Sequence, residues 1–369
     1  MSNDLPEPME RALAAARRSL WLSQPNPHVG CVLTSPDGAV IGEGFTQRAG
    51  GPHAEIMALR DAAARGHEVA GATAWVTLEP CSHHGRTGPC CDALVAAGVR
   101  RVVASLQDPN PVVAGAGFAR LRAAGIDVEV GPGAAASREL NIGFVSRMVR
   151  GTPWVRAKIA ASLDGTTALA NGASQWITSA AAREDGHRWR AQACAVLTGI
   201  GTVREDDPRL DVRLPDVPRQ PQVVVVDSRL ETPLDARLFD GGRPVILYAA
   251  VDDPARAQAL AARGATVVTL PDANGKVDLA AMLLDLGARS INELHVEAGF
   301  KLNGSLVRAG LVDEFLVYLA PKLLGSGQGM VQIGELARLD EAVELEFLSA
   351  EPVGADLRVL ARPPGRAAF

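Results

Sequence analysis

Pro52-His53-Ala54-Glu55 is followed, after one predicted helix and one predicted strand, by Glu79-Pro80-Cys81-Ser82-His83-His84-Gly85-Arg86-Thr87-Gly88-Pro89-Cys90-Cys91. One imidazole, that of His53, and two thiolates, those of Cys81 and Cys90, make a soft set of three zinc ligands. Three protein ligands leave a fourth position for water, which is typical of a catalytic zinc site and not of a structural one. The stretch therefore predicts a metal centre that performs chemistry.

Glu55 follows His53 by two residues, as in the His-x-Glu element of the zinc-dependent nucleobase deaminases. In those enzymes the Glu is not a ligand but shuttles a proton from water to the ring nitrogen and the leaving ammonia. The alternative, a structural zinc site, would leave Glu55 unexplained. On an ideal helix, residues two apart point to nearly opposite faces, so the spacing alone does not aim His53 and Glu55 at one metal.

The second half of the motif departs from the usual Pro-Cys-x-x-Cys, because eight residues separate Cys81 from Cys90. With this insert, the segment 80–90 resembles the signature of the bifunctional deaminase/reductases of riboflavin biosynthesis, and the resemblance extends over nearly the whole chain. It implies hydrolytic deamination of 2,5-diamino-6-(5-phosphoribosylamino)pyrimidin-4-one. It also implies a second step, in which NADPH reduces the ribosyl group to ribityl. The convergence of His53 and Glu55 on one zinc ion follows from this resemblance.

Length and composition set the broad class of the protein. A chain of 369 residues with 47% hydrophobic residues suggests two globular domains. The net charge is −5, and neither half has the excess of Lys and Arg expected of a nucleic-acid binder. No apolar run approaches the ~20 residues of a membrane helix. Five Cys, two of them adjacent, favour metal binding over disulfides and predict a reducing cytoplasm.

Strands and helices alternate on both sides of a boundary at Gly151-Thr152-Pro153. Apolar spacing predicts helices over residues 7–22, 53–65 and 137–149, and a helix that begins at Gly304. The resemblance implies an N-terminal, cytidine-deaminase-like three-layer α/β/α domain over residues 1–150. It implies a C-terminal, dihydrofolate-reductase-like α/β domain over residues 151–369.

The resemblance also implies site residues beyond the metal centre. In the deaminase half it assigns substrate contacts to Asn26, Arg86 and Asn110. Relatives often carry Asn where His28 stands and His where Thr46 stands, so neither is given a role. In the reductase half it implies that the substrate is contacted by Lys158, Ser174, Arg190, Leu210, Arg213 and Glu297. It implies that NADPH is contacted by Ala160, Ala161, Trp176, Thr202, Asp206, Ser228, Gly299, Phe300, Lys301, Leu302, Asn303, Gly304 and Ser305.

Without the resemblance, several of these residues have simpler interpretations. Asn26 would be a turn residue, Trp176 a core residue and Arg190 one end of a surface ion pair. The glycines of the segment 299–305 are only a weak sign of a phosphate cradle. His83 and His84 are interpreted as loop groups, because His53 and the two Cys complete the ligand set. The proton donor of the reduction stays open between Lys158, Asp164 and Glu297.

Two other functions share parts of this pattern. A nucleic-acid-editing deaminase would share the zinc motif but needs a basic face and the short Cys-x-x-Cys. A non-enzymatic nucleotide-binding module would need one domain to have decayed, yet both motif sets are intact. The preferred partners are therefore a small-molecule substrate, with no nucleic acid or membrane, and further copies of the chain. The resemblance implies a dimer or tetramer formed through the reductase half.

Overall fold

The computed structural model describes residues 5–82, 88–111 and 113–369 of the chain. The interpretations of His83, His84 and Arg86 lie outside these residues. The chain forms two compact units, Met1–Arg150 and Gly151–Phe369, each with its own sheet and core. Within the described residues, no helix combines the length and the apolar character needed to cross a membrane.

The first unit is built on a mixed sheet. Its strands are β1 (Gly30–Thr34), β2 (Val40–Phe45), β3 (Thr73–Val76), β4 (Arg101–Ala104) and β5 (Asp127–Val130). Its helices are α1 (Glu7–Arg17), α2 (Ala54–Ala64), α3 (Cys90–Ala96), α4 (Ala116–Ala123), α5 (Ala134–Leu140) and α6 (Ile142–Arg150). The strand order is β2-β1-β3-β4-β5. β1 is antiparallel to both neighbours, whereas β3, β4 and β5 are parallel.

Helices cover both faces of this sheet, because successive side chains of a strand point to opposite sides. Cys31 and Leu33 of β1 pack with Ala58 of α2 in one apolar cluster. Val32, between them, packs with Leu13 of α1 in another. The predicted three-layer α/β/α arrangement is confirmed.

Two glycines of β2 let α2 lie directly on the sheet. A Cβ at Gly44 would stand 2.4 Å from the carbonyl oxygen of Ala54, and a Cβ at Gly42 would stand 2.4 Å from that of Ala58. No side chain fits in that space. The close approach holds the first turn of α2, and His53 before it, next to the end of β2.

The second unit contains a larger, mostly parallel sheet. Its strands are β6 (Trp154–Ser162), β7 (Thr166–Leu169), β8 (Ala195–Gly199), β9 (Gln222–Val226), β10 (Val245–Ala249), β11 (Ala265–Thr269), β12 (Glu293–Val296), β13 (Glu314–Ala320), β14 (Gly327–Gly329), β15 (Glu346–Val353) and β16 (Asp356–Arg362). Its helices are α7 (Ala180–Gln192), α8 (Ile200–Asp206), α9 (Pro254–Ala261), α10 (Leu279–Ala288) and α11 (Phe300–Arg308), with short 3₁₀ turns at Arg237–Phe239 and Leu339–Glu341.

The order of the large sheet is β11-β10-β9-β8-β12-β6-β13-β16-β15, and β14 pairs with β7 separately. The strands from β11 to β13 are parallel, and β16 and β15 continue the sheet antiparallel. Leu286 of α10 and Leu306 of α11 pack on one face, against Ile159 of β6. Ala182 of α7 packs against Leu316 and Tyr318 of β13 on the other face. The predicted α/β class of the second half is confirmed.

Three helix boundaries differ from the sequence predictions. The helix predicted over 7–22 ends at Arg17, because the hydroxyl of Ser19 bonds the carbonyl of Ala16 and the chain continues in turns. The helix predicted over 137–149 is interrupted at Asn141, whose side chain bonds the main chain of His28. The helix predicted to begin at Gly304 begins at Phe300.

Candidate functional site

A cluster of three potential metal ligands lies at one end of the first sheet. His53 is the N-cap of α2, Cys81 follows β3, and Cys90 is the first residue of α3. Their ligand atoms all lie within 4.8 Å of one another. The Nδ1 atom of His53 is 3.6 Å from the Sγ atom of Cys81 and 3.4 Å from that of Cys90. Tetrahedral zinc would separate a nitrogen and a sulfur ligand by about 3.6 Å, so the three side chains fit this ion.

His53 and Glu55 converge because His53 lies outside the helix. Its backbone is extended, with φ −78° and ψ 171°, so the helical offset between the two residues does not apply. Glu55 is buried in the first turn of α2, and its carboxyl group contacts Cys90. Burial raises the pKa of Glu55 to about 7, against the attraction of a charged His53. An acidic group thus lies beside the three potential ligands without belonging to their cluster.

The two thiols differ in acidity. The hydrogen bond between the two cysteine side chains lowers the pKa of Cys81 to about 4, assisted by His53 and by the backbone N–H of Cys90. The same side-chain hydrogen bond, together with burial, raises the pKa of Cys90. The hydrogen bond between the two side chains thus favours the thiolate at Cys81 and the thiol at Cys90. A metal ion would take the place of the proton that Cys90 contributes.

Glu79 organises the loop that carries Asn110. Its buried carboxylate accepts backbone N–H bonds from Asp108 (3.0 Å) and Gly115 (2.9 Å) through one oxygen. The other oxygen accepts those of Gly117 (2.8 Å) and Phe118 (3.3 Å). Two residues before Cys81, Glu79 thereby fastens the loop to the metal-bearing segment. Sequence analysis missed this role, although an acidic residue at the end of a buried strand was the sign of it.

The loop that carries Asn26 leads into β1 at the same end of the sheet. Gly30 donates its N–H to the Thr77 hydroxyl at 3.1 Å, and Thr77 donates its N–H to the carbonyl of Gly30 at 3.1 Å. Thr77 follows β3 and precedes Cys81 by four residues. Thr46 is buried, and its N–H bonds the carbonyl of Val29 at 3.0 Å. Asn26 is half-buried in this loop.

In the second unit, a cleft of about 500 Å³ lies beside the N-termini of α8 and α11 and the end of β9. Both helices are preceded by a glycine, Gly199 or Gly299, without a side-chain cap, so their first N–H groups suit a phosphate. An adjoining cavity of about 700 Å³ shares Ser228 with the cleft and is also lined by Ser305. The residues of the cleft that were predicted to touch a cofactor are Thr202, Ser228, Gly299, Phe300, Lys301 and Leu302.

Other predicted cofactor residues do not line this cleft. Asn303 is buried and its side-chain amide donates to the carbonyls of Ala298 and Met330, at 3.2 and 3.4 Å. Gly304 packs on the backbone of Gln332, where a Cβ would be 2.1 Å from the carbonyl oxygen. These two residues serve the packing of α11. The others lie on β6 (Ala160 and Ala161), in an exposed turn (Trp176) and at the end of α8 (Asp206).

A cluster of charges lies at the end of β12 in the same unit. The guanidinium of Arg190 on α7 binds both carboxylate oxygens of Glu297, at 2.6 and 2.8 Å. Lys158 lies on β6, the strand paired with β12. Burial alone would raise the pKa of Glu297, but Arg190, His295 and Lys158 together hold it well below its ordinary value. Burial, and after it the charge of Arg190, lowers the pKa of Lys158, against the attraction of Glu297.

The loop 210–213 approaches this cluster through Arg190 and His187. The Nη1 atom of Arg190 donates to the carbonyl of Asp211, whose carboxylate binds Arg213 at 2.9 Å. The Nδ1 atom of His187 accepts the backbone N–H of Arg213 at 3.4 Å. Sequence analysis interpreted His187 as structural and gave Asp211 no role; the spacing of His187 three residues before Arg190 was the available sign of its place beside the cluster.

Two predicted substrate residues and one candidate proton donor are placed differently. Leu210 is buried, with a positive φ of 55°, and contributes its carbonyl to Arg243. Ser174 is half-buried in the turn before α7. Asp164 is exposed, and its carboxylate accepts a hydrogen bond from Gly325 N–H at 2.8 Å. That carboxylate fastens a loop in place.

Comparison with known proteins gives matches over both halves. Residues 153–359 match the family model described as the RibD C-terminal domain. Residues 2–106 match the cytidine and deoxycytidylate deaminase zinc-binding region. The chain is 48% identical to the riboflavin biosynthesis protein RibD of Escherichia coli K12, covering 95% of this chain and 96% of that protein. It is 42% identical to RibD of Haemophilus influenzae, with 97% of each chain covered.

Solved structures give the same result. RibD of Acinetobacter baumannii superposes with a TM-score of 0.89 at 40% identity, covering 96% of this chain and 98% of that one. A diaminohydroxyphosphoribosylaminopyrimidine deaminase/5-amino-6-(5-phosphoribosylamino)uracil reductase of Thermotoga maritima superposes with a TM-score of 0.85 at 32% identity. That match covers 96% of this chain and 97% of the other.

Proposed function

The chain belongs to the RibD family of bifunctional deaminase/reductases of riboflavin biosynthesis, and on that basis we propose which substrate, cofactor and residues its two sites use. It is a hydrolase with a zinc-binding deaminase domain and an oxidoreductase with a reductase domain. The proposed substrate is 2,5-diamino-6-(5-phosphoribosylamino)pyrimidin-4-one, which is deaminated first. Its ribosyl group is then reduced to ribityl with NADPH. The name of the Thermotoga maritima relative supports this substrate.

In the deaminase site, His53, Cys81 and Cys90 hold the metal, and Glu55 moves the proton. A zinc ion supplies the Lewis acidity that activates water for attack on the ring carbon. Glu55 is buried against Cys90, so it is placed to accept the proton of that water and pass it to the ring nitrogen and the leaving amine. Asn26 and Asn110 hold the pyrimidine from the two loops beside the metal centre.

In the reductase site, the charge cluster binds the sugar and the cleft binds the cofactor. NADPH supplies hydride to the C1′ carbon of the opened ribose. The bidentate contact with Arg190 orients the carboxylate of Glu297, and Lys158 adds a second positive group next to it. The guanidinium of Arg213 is 57% exposed, so it is available for the 5′-phosphate of the substrate.

The observation that carries this proposal is the trio of His53, Cys81 and Cys90 with a buried, non-ligating Glu55 beside it. Incubation with the phosphoribosylamino-diaminopyrimidinone, with and without NADPH, tests both halves at once by mass spectrometry. Without NADPH the deaminated product should accumulate, and with NADPH the ribityl product should replace it. A substrate mass unchanged in both samples would refute the proposal.

We further propose that two copies associate through the reductase unit. β15 is the edge strand of the large sheet, and an open edge pairs readily with another strand. Phe347 is 78% exposed on this strand, and Leu339 in the turn before it is 95% exposed. Such apolar exposure is typical of an interface. Phe347→Asp should shift the mass measured by light scattering towards the monomer, whereas Leu284→Asp, at an exposed position of α10, should not.

A reducing compartment such as the cytoplasm is the proposed site of action. Cys81 and Cys90 serve as ligands only while they are reduced, and their sulfur atoms are close enough for oxidation to compete with metal binding. The metal content of protein prepared with and without a thiol reductant would test this. Equal zinc content after prolonged aerobic storage without reductant would contradict it.

A further inference from the structure

His28 is fixed in the first unit by hydrogen bonds from a distant element. Its N–H donates to the side-chain oxygen of Asn141 at 2.7 Å, and its carbonyl accepts the Asn141 amide at 3.0 Å. Asn141 lies between α5 and α6. The side chain of His28 is turned inward, and the residue is 2% exposed. Its main chain is therefore held on both sides while its imidazole faces other groups.

The imidazole of His28 contacts three polar side chains of the segment that precedes it. Its Nδ1 atom lies 2.9 Å from the Ser23 hydroxyl and 3.2 Å from the Ser19 hydroxyl. Its Nε2 atom lies 3.3 Å from the amide nitrogen of Gln24. Both serines are fully buried. The ring thus joins the end of α1 to the loop that leads into β1.

The hydroxyl protons decide which ring nitrogen carries hydrogen. Ser19 donates to the carbonyl of Ala16 at 2.7 Å, and Ser23 donates to the carbonyl of Asn26 at 3.3 Å. A hydroxyl has a single proton, so with both protons on these carbonyls the two serines accept from His28. This arrangement places a proton on the Nδ1 atom. In a neutral ring the Nε2 atom is left as an acceptor, and it faces the amide group of Gln24.

The resulting chain of donors ends on Asn26. Gln24 donates to His28, His28 donates to Ser23, and Ser23 donates to the carbonyl of Asn26. Asn26 in turn donates its N–H to the carbonyl of Ser23 at 2.9 Å, which closes the turn. The main chain of Asn26 is thereby linked, through Ser23, to the imidazole two residues later.

We propose that His28, as the neutral Nδ1–H tautomer, is a positioning residue that holds Asn26 in place to bind the pyrimidine of the deaminase substrate. This rests on the proposed function, in which Asn26 contacts that ring. Asn can supply one donor and one acceptor from a shorter side chain. Leu is similar to His in volume but supplies neither a donor nor an acceptor.

Kinetics of deamination test the role. His28→Leu should lower kcat/KM for deamination about tenfold to a hundredfold, mainly through KM, because a small displacement of a binding group has effects of this size. Ser23→Ala should act in the same direction with a smaller effect, and His28→Asn should recover part of the loss. Zinc content and reduction of the deaminated product should stay within twofold of wild type. His67→Leu, at an exposed histidine, is the matched control.

The tautomer is measured separately, by nitrogen NMR of the full chain labelled at histidine. The signal that disappears in His28→Leu should be that of a neutral ring protonated at Nδ1. An Nε2–H tautomer, or an unchanged KM in folded His28→Leu and Ser23→Ala proteins, would overturn the proposal. If the wild-type chain itself released no ammonia from the substrate, the proposed function would fail instead, and the NMR result would still decide the tautomer.

Discussion

Each of the two sites contains a glutamate, and the pKa values of the two carboxyl groups are shifted in opposite directions. Glu55 in the first unit lies beside two cysteine side chains and one imidazole, and burial raises its pKa to about 7. Glu297 in the second unit lies between Arg190, Lys158 and His295, and these groups hold its pKa well below the ordinary value. One site keeps a carboxyl group that can gain and lose a proton, whereas the other keeps a fixed anion.

This contrast shows that charged neighbours, as well as burial, decide the chemistry of a carboxyl group. Glu55 is buried, and the side chain of Glu297 is 16% exposed. Only Glu297 has a guanidinium bound to both of its oxygens. Each of the following changes alters one of the two sites and should leave the other site working.

Removal of the metal should have the largest effect. Dialysis against a chelator should abolish deamination, and added zinc should restore it, because the Lewis acid is then missing from the first site. Reduction of the deaminated intermediate should continue at the original rate. Ammonia release and NADPH oxidation measure the two activities on the same sample.

Single substitutions give the matched control for this experiment. Cys81→Ser should lose zinc, whereas Cys31→Ser, at a buried cysteine that is not a ligand, should keep it. Deamination that survives complete removal of the metal would contradict the assignment of the three ligands. Loss of both activities would show that the metal stabilises more than its own site.

Substitution Glu55→Gln should have the next largest effect. A glutamine keeps the size of the side chain but cannot exchange a proton, so ammonia release should fall about 10³-fold. Zinc content and reduction should not change. Glu68→Gln, at an exposed position of the same unit, is the control. Turnover near the wild-type rate with zinc retained would remove the role given to Glu55.

The two sites also differ in how much of each could be predicted from the sequence. The ligands and Glu55 lie within one stretch of sequence, from His53 to Cys90, and their chemistry restricts the spacing. The residues of the reductase cluster come from β6, α7 and the end of β12, so their proximity depends on the order of strands. The residues of the reductase cluster were identified only through the resemblance to a family. Their roles, like that of Glu55, stay predictions until the variants are measured.

Long-range packing explains what the sequence pattern missed. Gly304 was interpreted as a helix start, yet it lies inside α11, where the absence of a side chain admits the backbone of Gln332. Asn141 interrupts a predicted helix, and its side chain forms two hydrogen bonds with the main chain of His28, far away in the sequence. Neither partner can be found from local periodicity. Helix ends that depend on contacts between distant segments need the folded structure.

Substitution Arg190→Ala should have a smaller effect, confined to the second site. Loss of the bidentate partner of Glu297 should lower kcat/KM of reduction about a hundredfold. The substrate requirement should rise more than the NADPH requirement, since the cofactor cleft does not contain Arg190. Steady-state kinetics with each substrate varied in turn will measure this.

The pH dependence of Arg190→Ala sharpens the comparison of the two glutamates. Arg190 lowers the pKa of Glu297, so its removal should raise that pKa and move the acidic limb of the reductase profile to higher pH. Arg188→Ala, which removes an exposed arginine of the same helix paired with Glu184, should leave the profile unchanged. A larger rise in the NADPH requirement than in the substrate requirement would contradict the placement of Arg190.

Substitution Glu79→Gln should have the smallest effect on chemistry and a clear effect on stability. The carboxylate accepts four backbone N–H groups, and the amide nitrogen of a glutamine would present N–H to two of them. Loss of charged hydrogen bonds in a buried position should cost about 3 kcal/mol of unfolding free energy in the first unit. Chemical denaturation followed by a tryptophan of that unit, Trp75, would measure it.

The effect on catalysis should follow from the loop and not from the metal. Glu79 holds Asp108 and Gly115, which flank Asn110, so Glu79→Gln should raise the KM of deamination a fewfold while zinc stays bound. Glu129→Gln is the matched control, because it makes the same change at an exposed glutamate of β5. If Glu79→Gln released the zinc, the carboxylate would be supporting Cys81 directly. The first site would then depend, as the second does, on a glutamate held by its neighbours.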